Sequence, residues 1–397
     1  MRKLLACLFL FTIISGVLCG CWSRKELGEL AIVLGVGVDR TPDGQVRLTL
    51  QLAKPRAFAG GASGGEGAGA KEPTTWVISE TGSTILDAQR KLATRISRHI
   101  NWAHNVIAVF GEEAARHGMR RYINFFTRSP QSREIAWILV AKGEAKDILE
   151  TASRLENSSA QDIGYLARAK TGYSVNFKDF KIMLATKGSN PIASGVELVE
   201  RGVAPGPEKE KSVKHEGAAL TGTAVFKDEK LAGWLDESET RGLLWLRGEI
   251  LKGVITLPSP TGQGKVMSVE IMRGHTEVEP YYDGESVWFV VKIVVEGDLL
   301  EQQSSEDITE RDVRKAIEKE MAREVEEKAR LALEKAQGEY GVDIFGFGVA
   351  FHRKYPKVWT DLEDRWDEVF AGAYVDCAVE AHLRRSGLIG KRGTLRE

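Results

Sequence analysis

Two strand-patterned runs, Val266 to Tyr282 and Val287 to Glu296, bracket Asp283-Gly284, and a helix-patterned stretch of about 28 residues follows them. Asp-Gly between extended runs is a strong hairpin signal. Beyond the hairpin, Thr309-x-x-Asp312 reads as a helix cap and Gly338 as a stop. The helix has an apolar stripe of Val313, Ile317, Met321, Val325 and Ala329, while its other faces are dense in Glu, Lys and Arg. At 1.5 Å per residue it is about 42 Å long. A stripe one residue wide suits a helix laid across a sheet with the rest in water. The final run alternates, with Ala373, Val375, Cys377, Val379, Ala381 and Leu383 on one face and Tyr374, Asp376, Glu380 and His382 on the other. Cys377 is therefore expected as a small core residue, not a redox or metal site.

The first half has a different rhythm. Leu30 to Val38 is nearly all apolar, as in a strand buried on both faces. Pro42-Asp43-Gly44 marks a turn, after which Val46, Leu48, Leu50 and Leu52 alternate with Arg47, Thr49 and Gln51, the pattern of a half-buried partner strand. Thr84-x-x-Asp87 caps a helix whose face is Ile85, Ala88, Leu92 and Ile96. His104 to Phe110 and Ile135 to Ala141 read as further strands with short helices between, one ending at Gly118. Residues 59–70, AGGASGGEGAGA, read as a flexible loop. No Gly-Lys-Ser/Thr follows to make it a phosphate loop. Pro205, Pro207 and a Lys/Glu run at 200–215 mark a boundary, followed by a strand from Gly217 to Phe226 and a helix from Asp236 to Leu246. With 397 residues, more than one ordinary core is expected. The expected fold class is α+β, a multi-lobed mixed α/β ectodomain with antiparallel sheets and a long helix in its C-terminal half. Its parts are an N-terminal α/β module over 30–200 and a C-terminal α+β module over 215–388, the latter with a division into two lobes near 250–265.

The N-terminus supplies the compartment. Arg2 and Lys3 precede an apolar stretch, Leu4 to Ile14, which is too short to span a bilayer comfortably. Leu18-Cys19-Gly20-Cys21 then has the form of a bacterial lipobox, with small Gly20 before the cut and the thiol of Cys21 to take a diacylglyceryl group. Residues 1–20 are read as a signal peptide and 21–29 as a lipidated tether. Two acyl chains hold stably where one holds marginally. From Trp22 to Glu29 the tether reaches at most about 28 Å, so the folded body stays near the membrane. Trp22 suits the lipid–water interface, and Arg24 and Lys25 suit anionic head groups. After cleavage Cys377 is the one thiol left in the body, so no internal disulfide is expected.

Enzyme signatures are missing. There is no HExxH, no paired CxxC and no GxSxG, and both Gly35-x-Gly37 and Gly346-x-Gly348 lack the third glycine of a dinucleotide fingerprint. No catalytic residue, metal ligand or cofactor is assigned beyond the lipid on Cys21. The net charge of −1 offers no basic face for nucleic acid. One constellation stands out. Aromatics are 8% of the chain, yet Phe345, Phe347, Phe351, Tyr355, Trp359, Trp366 and Phe370 crowd into one stretch. Pro356 splits it into two short helices. The stretch is either core beneath the C-terminal sheet or an aromatic docking face, with Trp359 and Trp366 as the candidate partner contacts alongside Trp22.

Several blocks together resemble a known family. They are Cys21-Trp22-Ser23-Arg24-Lys25-Glu26-Leu27, Gly35-x-Gly37-x-Asp39, His104-Asn105-Val106-Ile107, Gly111-Glu112 with Ala115, and Arg128-Ser129-Pro130. In the second half they are Thr223-Ala224-Val225-Phe226-Lys227, Lys230-Leu231, Gly233-Trp234-Leu235, Phe345-Gly346-Phe347-Gly348 and Tyr355-Pro356-Lys357-x-Trp359. In this order they resemble the Ger(x)C family, the lipoprotein C subunit of spore germinant receptors. Ser23 departs from the family's usual aspartate, and residues 59–70 look inserted. The resemblance implies a non-catalytic ectodomain on the outer face of the spore inner membrane, working with an A subunit and a transporter-like B subunit to sense nutrients. The rivals are a solute-binding lipoprotein of a transport system, which would show two similar lobes, and an extracytoplasmic hydrolase.

Overall fold

The computed structural model describes residues 26–55, 73–129, 131–153, 155–200, 216–250, 252–260, 264–304 and 307–385. The opening apolar run forms β1 (Leu30–Arg40), which turns at Gly44, φ +83°, into β2 (Val46–Ala53) with Val38 opposite Leu48. The polar residues of β2 do not face water as their alternation implies: Thr49 is 0% and Gln51 1% exposed. Gln51 is satisfied where it lies. Its Nε2 donates to Leu149 O at 2.8 Å and Ser159 Oγ at 2.9 Å, and its Oε1 accepts from Ala160 N at 3.1 Å. A layer of helices covers what the sequence presents as a solvent face, and such burial is tolerated because every polar atom of the amide finds a partner.

Next comes β3 (Thr75–Gly82), an edge strand that the sequence reading passed over. The helix expected at Thr84 is α1 (Ile85–Ala93). Thr84 Oγ1 accepts from Asp87 N, and Ile85, Ala88 and Leu92 are buried. The chain continues through β4 (His99–Asn101), β5 (Ile107–Gly111), α2 (Glu112–Arg116), α3 (Arg120–Arg128), β6 (Trp137–Ala141), α4 (Ala145–Glu150), α5 (Ser159–Ala169), β7 (Val175–Asn176), α6 (Phe177–Ala185), β8 (Ile192–Glu200), β9 (Glu216–Lys227) and β10 (Lys230–Leu235). The main sheet runs β10-β9-β8-β6-β5-β1-β2-β3, with β4 on β1 and β7 on β6. The pairs β1–β5, β5–β6 and β6–β8 are parallel and the hairpins antiparallel. This follows from the connections, since parallel neighbours need a long crossover and each crossover here contains at least one helix.

The proline-rich stretch at 200–215 joins neighbouring strands of this one sheet, β8 and β9, which pair antiparallel from Ile192↔Val225 to Glu200↔Glu216. The composition shift marks a connection, and the first sheet continues to Leu235. The architecture changes after α7 (Glu237–Leu246), whose Asp236 and Glu239 make a full capping box. The second sheet, in the order β11-β12-β13-β14, consists of β11 (Val254–Pro258), β12 (Val266–Tyr282), β13 (Val287–Gln302) and β14 (Tyr374–Arg385). Tyr282 faces Val287 across the Asp283–Gly284 turn. The long helix is α8 (Arg311–Glu334), about 36 Å over its 24 residues. Ile317, Met321, Val325 and Ala329 are its buried stripe. Its start is not capped by Thr309, whose hydroxyl donates instead to Asp307 at 2.5 Å. Its end overruns Gly338 in a π-turn, Lys335–Tyr340, closed by Gly341 at φ +60°. From there α9 (Phe347–Lys354), α10 (Pro356–Leu362) and α11 (Trp366–Gly372) complete a crossover that brings β14 parallel to β13. Pro356 occupies the first position of α10, where its missing N–H costs nothing.

Candidate functional surfaces

The aromatic stretch from Phe345 to Phe370 is core. Trp359 is 2% and Trp366 3% exposed, so neither is available as a docking contact, and the expectation of an aromatic docking face there is corrected. The rings pack on one another: Phe289 stacks on Phe347 at 4.8 Å, and Trp366 lies 5.1 Å from Trp359 and 5.4 Å from Phe351. At their centre is Asp343, fully buried. Its Oδ1 accepts from Phe345 N and Gly346 N at 2.9 Å each, and its Oδ2 from Gly348 N at 2.7 Å and Trp366 Nε1 at 3.1 Å. Burial pushes this carboxyl above the usual range while the four donors pull it back. Four N–H groups converging on two oxygens fit the ionised acid, which is acceptor-only.

This knot also joins the two sheets. Asn190, ahead of β8, donates its backbone N–H to Asp343 O at 2.6 Å and its Nδ2 to Asp367 Oδ1 at 2.9 Å. Gly348 lies flush against Gly188, so a Cβ at 348 would stand 2.5 Å from Gly188 O. Trp359 and Trp366 are buried because they fill this joint. The reading of the stretch as core beneath the C-terminal sheet holds, with Phe289 of β13 packed on Phe347 and Trp366.

The block Gly35-x-Gly37-x-Asp39 is likewise architectural. A Cβ at Gly35 would meet Ala160 Cβ at 2.8 Å, and one at Gly37 would meet Leu149 at 3.1 Å, so the glycines let α4 and α5 lie against β1. Asp39, 3% exposed, caps α4. Its Oδ1 accepts from Ala145 N at 2.7 Å and its Oδ2 from Lys146 N at 3.1 Å, whereas Glu144, directly before the helix, makes no side-chain cap. Burial raises the Asp39 carboxyl to about 6 despite these bonds. Cys377 is half-buried among the apolar residues of β14, and burial pushes its thiol up to about 11. Among the described residues no group of three His, Cys, Asp or Glu is placed to hold a metal, and no helix is long and apolar enough to cross a membrane. Cys21, Trp22 and the 59–70 loop lie outside the described residues.

A second aromatic group, with Tyr281 and Tyr374 exposed and Trp288 half-buried between them, lies elsewhere. Tyr281 on β12, Trp288 on β13 and Tyr374 on β14 are consecutive register partners and form a row on the face of the second sheet turned away from α8. Tyr281 and Trp288 stack at 5.6 Å with 10° between their planes. Tyr374 is 68% exposed. Lys354 Nζ sits 4.4 Å above the Tyr281 ring and 2.5 Å from Glu279 Oε1. Cross-strand aromatics on an uncovered face have the composition of an interaction hot spot. The Asp283-Gly284 signal locates the hairpin, but the pairing of Tyr281 with Trp288 follows from a four-residue connection, 283–286.

The whole described body aligns with known proteins. Residues 23–198 match the spore germination protein N-terminal domain, and residues 221–387 match the C-terminal domain described as spore germination B3/GerAC-like. Spore germination protein KC of Bacillus subtilis (strain 168) is 30% identical over 98% of this chain and 96% of its own length. Spore germination protein B3 of the same organism is 24% identical over 94% of this chain and 96% of its own. A crystal structure of the GerBC protein has the same fold, with TM-score 0.56 and 20% identity over 88% of this chain and 96% of that one. The chain belongs to the Ger(x)C family of spore germination proteins.

Proposed function

We propose that the chain is a lipid-anchored, non-catalytic C subunit of a nutrient germinant receptor. Diacylglycerol on Cys21 holds it to the outer face of the spore inner membrane, and it works beside an A subunit and a transporter-like B subunit. The observation that carries this reading is the family match over both halves of the chain in the order expected of the family. Two features support it. Leu18-Cys19-Gly20-Cys21 offers the acylation site. The deeply buried carboxylates Asp39 and Asp343 are engaged as structural acceptors, which leaves neither as a free acid or base in a cleft. In this reading the Tyr281–Trp288–Tyr374 row, flanked by Glu279 and Asp376, is the surface offered to a membrane subunit.

Deleting the gene tests the reading. The spores should lose the response to one set of nutrients and still germinate with a trigger that bypasses receptors. Normal germination with every nutrient the parent recognises, in a strain without paralogues, refutes it. The anchor is tested separately by palmitate labelling, which Cys21→Ala should abolish. The exposed Tyr374→Ala should leave the melt unchanged while reducing co-purification with the membrane subunits.

A further inference from the structure

The edge of the first sheet where the chain enters carries two adjoining clefts. One, of about 600 Å³, is lined by Leu30, Lys54, Trp76, Arg95 and Arg98 among others. The other, of about 500 Å³, has Leu86, Arg90, Arg98 and His99 in its wall. The two share Ile96, Ser97 and Arg98, and among the described residues no carboxylate lines either. The sheet register explains the gathering: Leu30 at the start of β1 lies beside His99, and Leu52 at the end of β2 lies beside Trp76. Arg95 is tied to Glu80 Oε2 at 3.0 Å, and Lys91 to Asp87 at 3.3 Å. Arg90 and Arg98 are exposed and have no carboxylate partner among the described residues. Beside these cations Trp76 is 42% and Leu86 52% exposed.

We propose that this edge is a binding surface for the anionic phosphate head groups of a bilayer, with Arg90 and Arg98 as the principal cations and Trp76 and Leu86 at the interface. The proposal rests on the anchored reading for its geometry, since Leu30 lines the cleft and the eight residues from Trp22 to Glu29 confine it to within about 28 Å of the membrane. The chemistry of the surface selects the occupant. A membrane presents many phosphates at once, each surface Lys or Arg gaining about fivefold in occupancy from an anionic leaflet. An exposed indole beside the arginines suits the same depth. Glu26 and Glu29 lie on the incoming segment and line neither cleft.

The test uses the full chain in nanodiscs of phosphatidylcholine, with or without phosphatidylglycerol, and a fluorophore on Ser97→Cys or, as control, on Glu285→Cys at the β12–β13 turn. Head-group nitroxide lipid is the quencher. Cys377 labels slowly because its thiol is raised to about 11. The Ser97 label should be quenched when phosphatidylglycerol is present and the Glu285 label should not. Arg90→Gln with Arg98→Gln should lower the docked-to-free ratio about 25-fold with no change in melting. Salt at 1 M, where the screening length falls to about 3 Å, should do the same. Quenching that ignores phosphatidylglycerol or the double variant overturns the proposal. Shielding of Ser97 only when the membrane subunits are co-reconstituted also overturns it and assigns the clefts to protein. Mass spectrometry of the Cys21 peptide reads the anchor independently: quenching without lipid on Cys21 sinks the anchor and leaves the head-group surface standing, and a chain that enters no nanodisc sinks both.

Discussion

Replacing Asp343 by Asn changes one atom and should be among the most damaging conservative substitutions in the chain. The carboxylate takes two N–H donors on each oxygen. The amide keeps one oxygen, so in either orientation two donors lose their acceptor and face an NH₂ group. If the NH₂ takes the place of Oδ2, Gly348 N and Trp366 Nε1 are orphaned. If it takes the place of Oδ1, Phe345 N and Gly346 N are. At about 1–3 kcal/mol per buried unsatisfied donor the loss is about 2–6 kcal/mol. Removing a charge from a fully buried site offsets part of it, because burial disfavours the ionised form. A net loss of about 2–4 kcal/mol is expected. Guanidinium unfolding at 25 °C, followed by tryptophan emission, measures it, with Trp359 and Trp366 reporting from the site itself. A loss below about 1 kcal/mol would mean that Asp343 is protonated or that the four bonds do not hold the joint, and would refute the reasoning.

Asp39 gives a pH signature. Its folded value of about 6 lies above the ordinary 3.8, so the folded state binds the extra proton between them; the associated stability is fully present below 3.8 and is lost as pH rises past 6, by about 3 kcal/mol. The stability difference between wild type and Asp39→Asn across pH 3.5 to 7 isolates this loss, and a flat difference contradicts it. Truncating Trp359 or Trp366 to Ala should cost about 3–5 kcal/mol and deplete the protein in spores, because both fill the joint between the sheets; a normal melting temperature with normal abundance contradicts the core placement. With its thiol raised to about 11, Cys377 should react with an aromatic disulfide at pH 8 about a hundredfold more slowly than an ordinary thiol, and at full speed in denaturant; rapid labelling of the folded chain contradicts its burial.

Local signals were legible where local physics decides. Thr84, Asp236 and the Asp283–Gly284 turn fall where the sequence puts them, because a cap or a tight turn is settled by a few neighbouring residues. The buried stripe of α8 is legible because its period is. The failures share a cause. Thr49 and Gln51 alternate like solvent-facing residues, and only the helices from residues 145 to 169, about a hundred positions away, bury them. Thr309 has the right spacing for a cap, yet Asp307 two residues earlier takes its hydroxyl. The prolines at 205 and 207 fall where the two family domains divide, between 198 and 221, although composition does not show that the strands on either side pair with each other. Of the two readings offered for Trp359 and Trp366 the core one holds, and Gly188, in the turn ahead of β8, packs against Trp359 there.

Two of the blocks that carry the family resemblance, Gly35-x-Gly37-x-Asp39 and Phe345-Gly346-Phe347-Gly348, are packing devices. Gly35 and Gly37 admit two helices, Asp39 caps one of them, and Phe345, Gly346 and Gly348 donate their backbone N–H groups to Asp343. The candidate contacts, Tyr281, Trp288 and Tyr374 on one sheet and Arg90 and Arg98 at the edge of the other, belong to none of those blocks. This division is what a docking subunit requires. A scaffold needs particular side chains wherever backbone and helix approach closely, and there substitution is punished by collision or by an orphaned hydrogen bond. An interface has to suit its own partner and its own membrane, and its residues are free to differ between receptors so long as the scaffold presents them. The joint at Asp343 ties the two tasks together. It fixes the second sheet, with its aromatic row, to the first, so the surface proposed for a partner and the surface proposed for a bilayer are held together.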